Sequence, residues 1–230
     1  MNQKLSCVLG IATIVLTACS GLFTPTSTPT PSPDEWLDRA AQAALAMKSA
    51  QFTLTREGSP AMLDPDTNTT FTEVSGQYQA PDRVSATVKV SLLGNIVSIQ
   101  MLWLPEGNFI SNPLTGQFQP APENASFNGV TLFSADGLPS VLKDGIVNAM
   151  DVGLEKLEDV ETRHLKGEAD GAKLTALTAG TFQAGTAYPL EVWMETVTNN
   201  LVRFHIAEPD GNGWLVEIFA INEPVEIKAP

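Results

Sequence analysis

Between Arg83 and Leu92 the chain alternates without a break. Val84, Ala86, Val88, Val90 and Leu92 fall on one face, and Ser85, Thr87, Lys89 and Ser91 on the other. A strict period of two over this length predicts a half-buried antiparallel strand. Gly94-Asn95 predicts a tight turn into a second strand over Ile96–Leu104, where Val97, Ile99, Met101 and Trp103 form an apolar row. Leu102 and Leu104 also make its other face apolar. Shorter alternations predict strands over Phe52–Glu57, Phe71–Tyr78, Asn108–Ser111 and Val160–Gly167. From Tyr188 onward the pattern predicts four more, over Leu190–Val197, Leu201–Ala207, Trp214–Ile221 and Val225–Ala229. Asn199-Asn200 and Asp210-Gly211-Asn212-Gly213 supply the hairpin turns between them.

The period changes to the helical one in two longer places. Leu37, Ala40, Ala41, Ala44, Leu45 and Met47 predict a helix from Asp34 to about Lys48, with Ser32 or Asp34 as its cap. Leu138, Val141, Leu142, Ile146 and Met150 predict a second over Asp136–Met150, with Pro139 tolerated in its first turn and Gly145 a weak point. Leu174–Ala179 predicts a short helical piece, and the prolines and glycines of 112–128 predict a loop. Hairpin-linked strands with two or three inserted helices predict an antiparallel α+β domain.

Ahead of that domain the pattern has another meaning. Met1–Leu5 carries one charge, Lys4, and Val8–Ala18 is almost wholly apolar, as in a secretory leader. The run is too short to span a bilayer, which takes roughly 20 apolar residues. Leu16-Thr17-Ala18-Cys19 fits a lipobox at all four positions, so residues 1–18 are expected to be a lipoprotein signal peptide and Cys19 the lipidated residue. The plainer alternative is a secreted chain cleaved nearby, with Cys19 a bystander. Residues 19–33 follow as a Thr/Pro/Ser-rich stretch that cannot bury enough apolar surface to order itself. It reads as a tether, or as a glycosylated stalk. The folded domain is expected over 34–230.

Composition narrows the partners. The net charge of −13 becomes −14 once Lys4 is removed, which argues against nucleic acid and against a polybasic membrane patch. Membrane attachment must then come from the lipid on Cys19. Cys7 leaves with the leader and Cys19 is acylated, so no disulfide is expected inside the domain.

No constellation of catalytic residues emerges, and the reading is that the protein is not an enzyme and needs no cofactor. His164 and His205 sit in predicted strands without a metal-ligand pattern. There is no G-x-S-x-G elbow and no cysteine left to act as a nucleophile. Asp64-Pro65-Asp66-Thr67-Asn68 imitates the start of a calcium loop, but Thr69 and Ser75 stand where glycine and glutamate are needed, so it reads as a polar hairpin loop. Glu155, Glu158, Asp159 and Glu161 read as a solvated face.

Several short stretches in order carry a resemblance. They are Ala46-Met47-Lys48-Ser49-Ala50 leading into Phe52-Thr53-Leu54-Thr55, then Gly137-Leu138-Pro139-Ser140-Val141-Leu142 and His164-Leu165-Lys166-Gly167. Pro189-Leu190-Glu191-Val192-Trp193-Met194, Leu201-Val202-Arg203-Phe204 and the ending Val225-Glu226-Ile227-Lys228-Ala229-Pro230 complete the set. In these the chain resembles the LppX/LprG-type lipoproteins, related in fold to the LolA and LolB carriers, from about Asp34 to Pro230. The resemblance implies a strongly curved antiparallel sheet, a half-barrel wrapped over two or three helices, with an apolar cavity for the acyl chains of a lipid or glycolipid. It implies no enzyme activity and no metal.

The expected function is a lipoprotein anchored outside the cytoplasm that binds lipid or glycolipid and carries or presents it at the cell envelope. A membrane lipid exporter is the partner class this role suggests. The wall residues expected from alternation are Val88, Val90, Ile99, Met101, Trp103, Phe109, Val141, Leu142, Val192 and Phe204. Alternation does not distinguish a hollow core from a filled one. The alternative is therefore an anchored interaction domain with a solid core that recognises a protein or envelope polymer.

Overall fold

A computed structural model describes residues 30–64, 68–92, 94–121, 129–178 and 182–230. The leader, Cys7 and Cys19 lie outside the described residues, as do positions 65–67 of the calcium-like loop. Pro31–Pro230 form one compact unit.

The unit opens with helix α1, Pro33–Ala46. Ser32 and Glu35 form a reciprocal capping box: Glu35 N donates to Ser32 Oγ at 3.3 Å, and Ser32 N donates to Glu35 Oε2 at 2.7 Å. Pro33 occupies the first turn, where its missing N–H costs nothing, and Asp34 and Glu35 sit at the positive end of the helix dipole. The helix buries Trp36, Leu37, Ala40, Ala41 and Ala44, three of them small enough for close approach.

Strands β1 (Ser49–Glu57), β2 (Ala61–Asp64), β3 (Thr69–Gln79), β4 (Arg83–Leu92), β5 (Asn95–Leu104), β6 (Gly107–Ser111) and β7 (Phe118–Pro120) follow as hairpins. A helical insertion comes next, made of α2 (Gly129–Phe133), α3 (Leu138–Ser140) and a π-helical turn over Val141–Gly145. Strands β8 (Ile146–Leu157) and β9 (Val160–Asp170), helix α4 (Gly171–Thr178), and strands β10 (Ala187–Glu195), β11 (Leu201–Ala207) and β12 (Gly213–Phe219) complete the order.

All the strands belong to one antiparallel sheet in the order β7-β6-β5-β4-β3-β1-β12-β11-β10-β9-β8, with β2 paired to β3 off this path. This corrects the expected half-barrel. The path of pairing begins at β7 and ends at β8, leaving two open edges, so the sheet wraps around helices without strong curvature or barrel closure. Period-two alternation sets which side of a strand is buried, but it carries no information on how far a sheet bends.

Three element assignments also change. The predicted helix over Asp136–Met150 ends at Gly145, and Ile146 starts β8. Glycine weakens the helix there, and β-branched Ile146 and Val147 fit a strand. Val225–Ala229 is not a strand; it crosses the outer face of the sheet. Ile227 N donates to Gln79 Oε1 at 2.9 Å, and its carbonyl accepts from Arg83 Nη1 at 3.2 Å. The Ile227 side chain buries Leu102 and Leu104, which explains why β5 is apolar on both faces. Finally, β2 and β7 lie where no strand was expected, and the described helical segments outnumber the two or three foreseen.

The inner face of the sheet needs one close approach. The Phe52 ring lies across Gly76, its register partner on β3, and a Cβ at Gly76 would stand 2.6 Å from both Phe52 Cζ and Ser85 O. Gly76→Ala is therefore expected to destabilise the domain by about 1–3 kcal/mol through overpacking, read as a lowered midpoint in urea with unchanged slope.

Candidate functional site

The inner face meets the helices around an apolar cavity of about 40 Å³. Its floor is Phe52 and Leu54 of β1, Trp214, Val216 and Ile218 of β12, and Phe204 and Ile206 of β11. Register places these side by side: Phe52 opposes Ile218, Leu54 opposes Val216, and Phe204 opposes the same Val216 from the other side. Leu132 and Phe133 of α2, Leu138 of α3 and Leu177 of α4 form the roof. Phe133 stacks on Tyr78 at 4.3 Å and tilts against Phe52 at 5.4 Å. A volume of this size takes only a few water-sized groups.

Beyond Trp214 the apolar floor gives way to a buried charged cluster. Arg56, the next inward residue of β1 after Leu54, lies over the Trp214 ring at 4.7 Å. Its guanidinium forks onto Glu208, Nη1 to Oε1 at 2.5 Å and Nη2 to Oε2 at 2.9 Å, with side-chain exposures of only 6% and 13%. Arg56 also donates to the carbonyls of Ser59 and Gly213, and Trp214 Nε1 donates to Glu208 Oε1 at 2.6 Å. Five polar groups thus satisfy one another against an apolar wall, which is what makes a buried charge tolerable. Nothing local in the sequence announces this cluster, because its members come together through β1–β12 pairing.

Of the wall residues expected from the sequence, Phe204 lines this cavity. Trp103, Val141, Leu142 and Val192 belong to the same continuous core, and Met101 packs against it half-buried. Val88 and Val90 are buried on the inward face of β4, and Ile99 is half-buried opposite Val88. Phe109 is placed elsewhere: it pairs with Leu102 and packs in the outer cluster under Ile227. The other cavity residues were missed. The strongest alternation lies in β4 and β5, and it drew attention away from β1 and β12, whose meeting is a long-range event.

Both histidines lie on the outer face beside carboxylates. His164 stacks on Trp193 at 4.3 Å, with Nε2 2.8 Å from Glu191 and Nδ1 3.1 Å from Glu155, while Trp193 Nε1 donates to Glu155 at 2.8 Å. His205 lies 3.0 Å from Glu57. Glu155, expected on a solvated face, is thus part of a cross-strand network tying β8 and β9 to β10. Burial alone would raise the Glu191 carboxyl, but hydrogen bonds from Lys166 and His164 outweigh it and hold it below its ordinary value of about 4.5. Among the described residues no group of three or more His, Cys, Asp or Glu could hold a metal ion, and no helix is long and apolar enough to cross a membrane.

Two outcomes follow. Glu208→Ala leaves Arg56 buried without its counter-charge and Trp214 Nε1 without its acceptor, and is expected to cost about 3–5 kcal/mol in denaturant unfolding, whereas the double change Arg56→Met, Glu208→Met costs less. Glu191 has a folded-state pKa below its unfolded one, so its contribution is full above the unfolded value and is lost as pH falls through the folded one. Glu191→Gln is expected to flatten the decline of stability below about pH 4.5 and to change little of the pH dependence nearer neutrality, measured by urea midpoints across that range.

Comparison with known proteins follows from this geometry. The sequence matches the model of the family described as LppX_LprAFG lipoprotein over residues 32–227. The fold is similar to that of LprF from Mycobacterium bovis, with a TM-score of 0.69 and 18% identity over 88% of this chain and 99% of that one. It is also similar to the lipoprotein LppX of Mycobacterium tuberculosis, with a TM-score of 0.62 and 16% identity over 87% of this chain and 100% of that one. No curated protein sequence matches.

Proposed function

This chain belongs to the LppX_LprAFG lipoprotein family, whose members are extracytoplasmic, membrane-associated, non-enzymatic carriers of lipid or glycolipid, and we propose that it takes the acyl chains of its ligand between α2–α3 and the β1–β12–β11 floor. The observation that carries this reading is the space itself, walled by apolar side chains and roofed by α2, α3 and α4. Each methylene moved out of water contributes about 0.8 kcal/mol, so an acyl chain leaves a bilayer only for a shelter of comparable apolarity.

A cavity of about 40 Å³ is far too small for such a chain, so capture separates roof from floor. The roof can yield at modest cost. Segments of five and three residues have few internal hydrogen bonds, and they hold their place by side-chain packing. As Leu132, Phe133 and Leu138 move, Val141, Leu142, Val192, Trp103 and Met101 extend the walls, and the inward residues Val88, Val90 and Ile99 continue them along β4 and β5. Arg56 and Glu208 remain as the fixed polar end.

In this reading residues 1–18 are removed, Cys19 receives the lipid anchor, 19–33 tether the domain and 34–230 bind ligand. A membrane lipid exporter is the partner that would supply or receive the cargo. One observation favours the rival reading of an anchored interaction domain: the small volume of this cavity, about 40 Å³.

Co-purifying lipid separates the two. Native mass spectrometry of the protein from a bacterial host is expected to show lipid in defined stoichiometry, and Val216→Trp, which fills the floor, is expected to lower its occupancy several-fold without unfolding the domain. A lipid-free mass that stays unchanged after incubation with vesicles would favour the interaction domain.

A further inference from the structure

Strand β8 is a free edge of the sheet, and it is unusual in what it exposes. Val147, Met150, Val152 and Leu154 are 53%, 63%, 53% and 59% exposed within eight residues of one another. Bulges between Val147 and Met150 and between Asp151 and Gly153 break the alternation, and Asn148 and Gly153 take positive φ values of 54° and 127°. The same bulges spoil the edge as a template for another strand, because an added chain needs an even row of donors and acceptors. The apolar side chains are therefore offered to something that does not pair by backbone hydrogen bonds.

The covalent path of the chain says what that is. Helix α1 starts at Pro33, fourteen positions after Cys19. Its first turns rest against the hairpin that carries the strip. Arg163 on β9 lies over Trp36 at 5.4 Å, forms an ion pair with Asp151 of β8 at 3.0 Å, and is the register partner of Leu154. The start of α1, to which the tether is joined in sequence, thus lies beside the exposed edge. Charge narrows the surface further. On the β8–β9 hairpin Asp151, Glu155, Glu158, Asp159, Glu161, Glu168 and Asp170 outnumber Lys156, Arg163 and Lys166, which disfavours an anionic surface.

We propose that β8 is the strip by which the domain touches a lipid bilayer of zwitterionic headgroups, seating Val147, Met150, Val152 and Leu154 at the interface from which cargo is drawn. The proposal rests on the membrane-anchored carrier reading. Large apolar side chains lying in the interfacial region supply the contact, while the tether supplies the local concentration.

The test uses the full chain produced with its leader, recovered in acylated form and reconstituted in phosphatidylcholine vesicles. A polarity-sensitive fluorophore is attached to one new thiol at a time, M150C or L154C on the strip, and I96C or L114C as exposed controls at the far side of the sheet. Blue-shifted emission and quenching by brominated phosphatidylcholine are expected at positions 150 and 154 and absent at 96 and 114. The paired change Met150→Asp, Leu154→Asp, at exposed sites where folding is unaffected, is expected to slow lipid pick-up on the order of tenfold, the effect of withholding two half-buried apolar side chains. Sedimentation with the vesicles reports the Cys19 anchor separately. A chain that sediments while all four probes stay in water overturns the strip and leaves the anchor standing.

Discussion

The pairing of β1 with β12 is the constraint on which the rest of this domain depends. It joins Gln51–Glu57 to Gly213–Phe219, segments from the two ends of the folded chain, in seven consecutive register partners. Everything on one side of the seam, β3 to β7, is contiguous in sequence, and so is everything on the other, β8 to β11. Without the seam there would be two separate hairpin stacks, and the floor they share would not exist. With it, Phe52, Leu54, Trp214, Val216 and Ile218 become one apolar floor, and Arg56 meets Glu208 and Trp214 at its end. Such a long-range closure costs chain entropy before it returns any contact, so the side chains on it must bury well.

The open edges give the two ends of the sheet different characters. At β7 the strand is three residues long, which limits what can pair with it, and the chain's last residues cover the neighbouring outer face through Ile227. At β8 the strand is twelve residues long, bulged twice, and carries exposed apolar side chains. A closed barrel would have removed both edges and fixed the width of the interior. An open sheet leaves the distance between its inner face and the helices to side-chain packing, which suits a site that must widen for its ligand.

Much of the strand content was legible because period-two alternation is a direct consequence of one buried face. The bounds of β4 and β11 agree with the pattern residue for residue, and the Ser32 cap and Pro33 mark the start of α1 plainly. The site was less legible. Alternation named Phe204, which lines the small cavity, yet it placed the walls chiefly on β4 and β5, where the pattern is cleanest. Phe109 shows the limit: an aromatic on a short strand reads the same whichever face the fold chooses, and here it pairs with Leu102 under the C-terminal segment. Leu102 and Leu104 had signalled a second apolar face, whose partner turned out to be Ile227. The helix expected through Met150 failed for a related reason, since apolar residues at helical spacing beyond Gly145 belong to a strand whose bulges break the two-residue period.

The claim that acyl chains enter between α2–α3 and the β1–β12–β11 floor is tested most directly by photocrosslinking. A phospholipid carrying a diazirine in its acyl chain, loaded into the protein and irradiated, marks the side chains that touch the chain, and peptide mass spectrometry locates them. The account predicts labels on Phe52, Leu54, Phe133, Trp214 and Val216, and none on the outward residues Thr53 and Glu217 of the same strands. Labels confined to the outer face or to the β8 edge would contradict it and leave a surface-binding protein with a closed core.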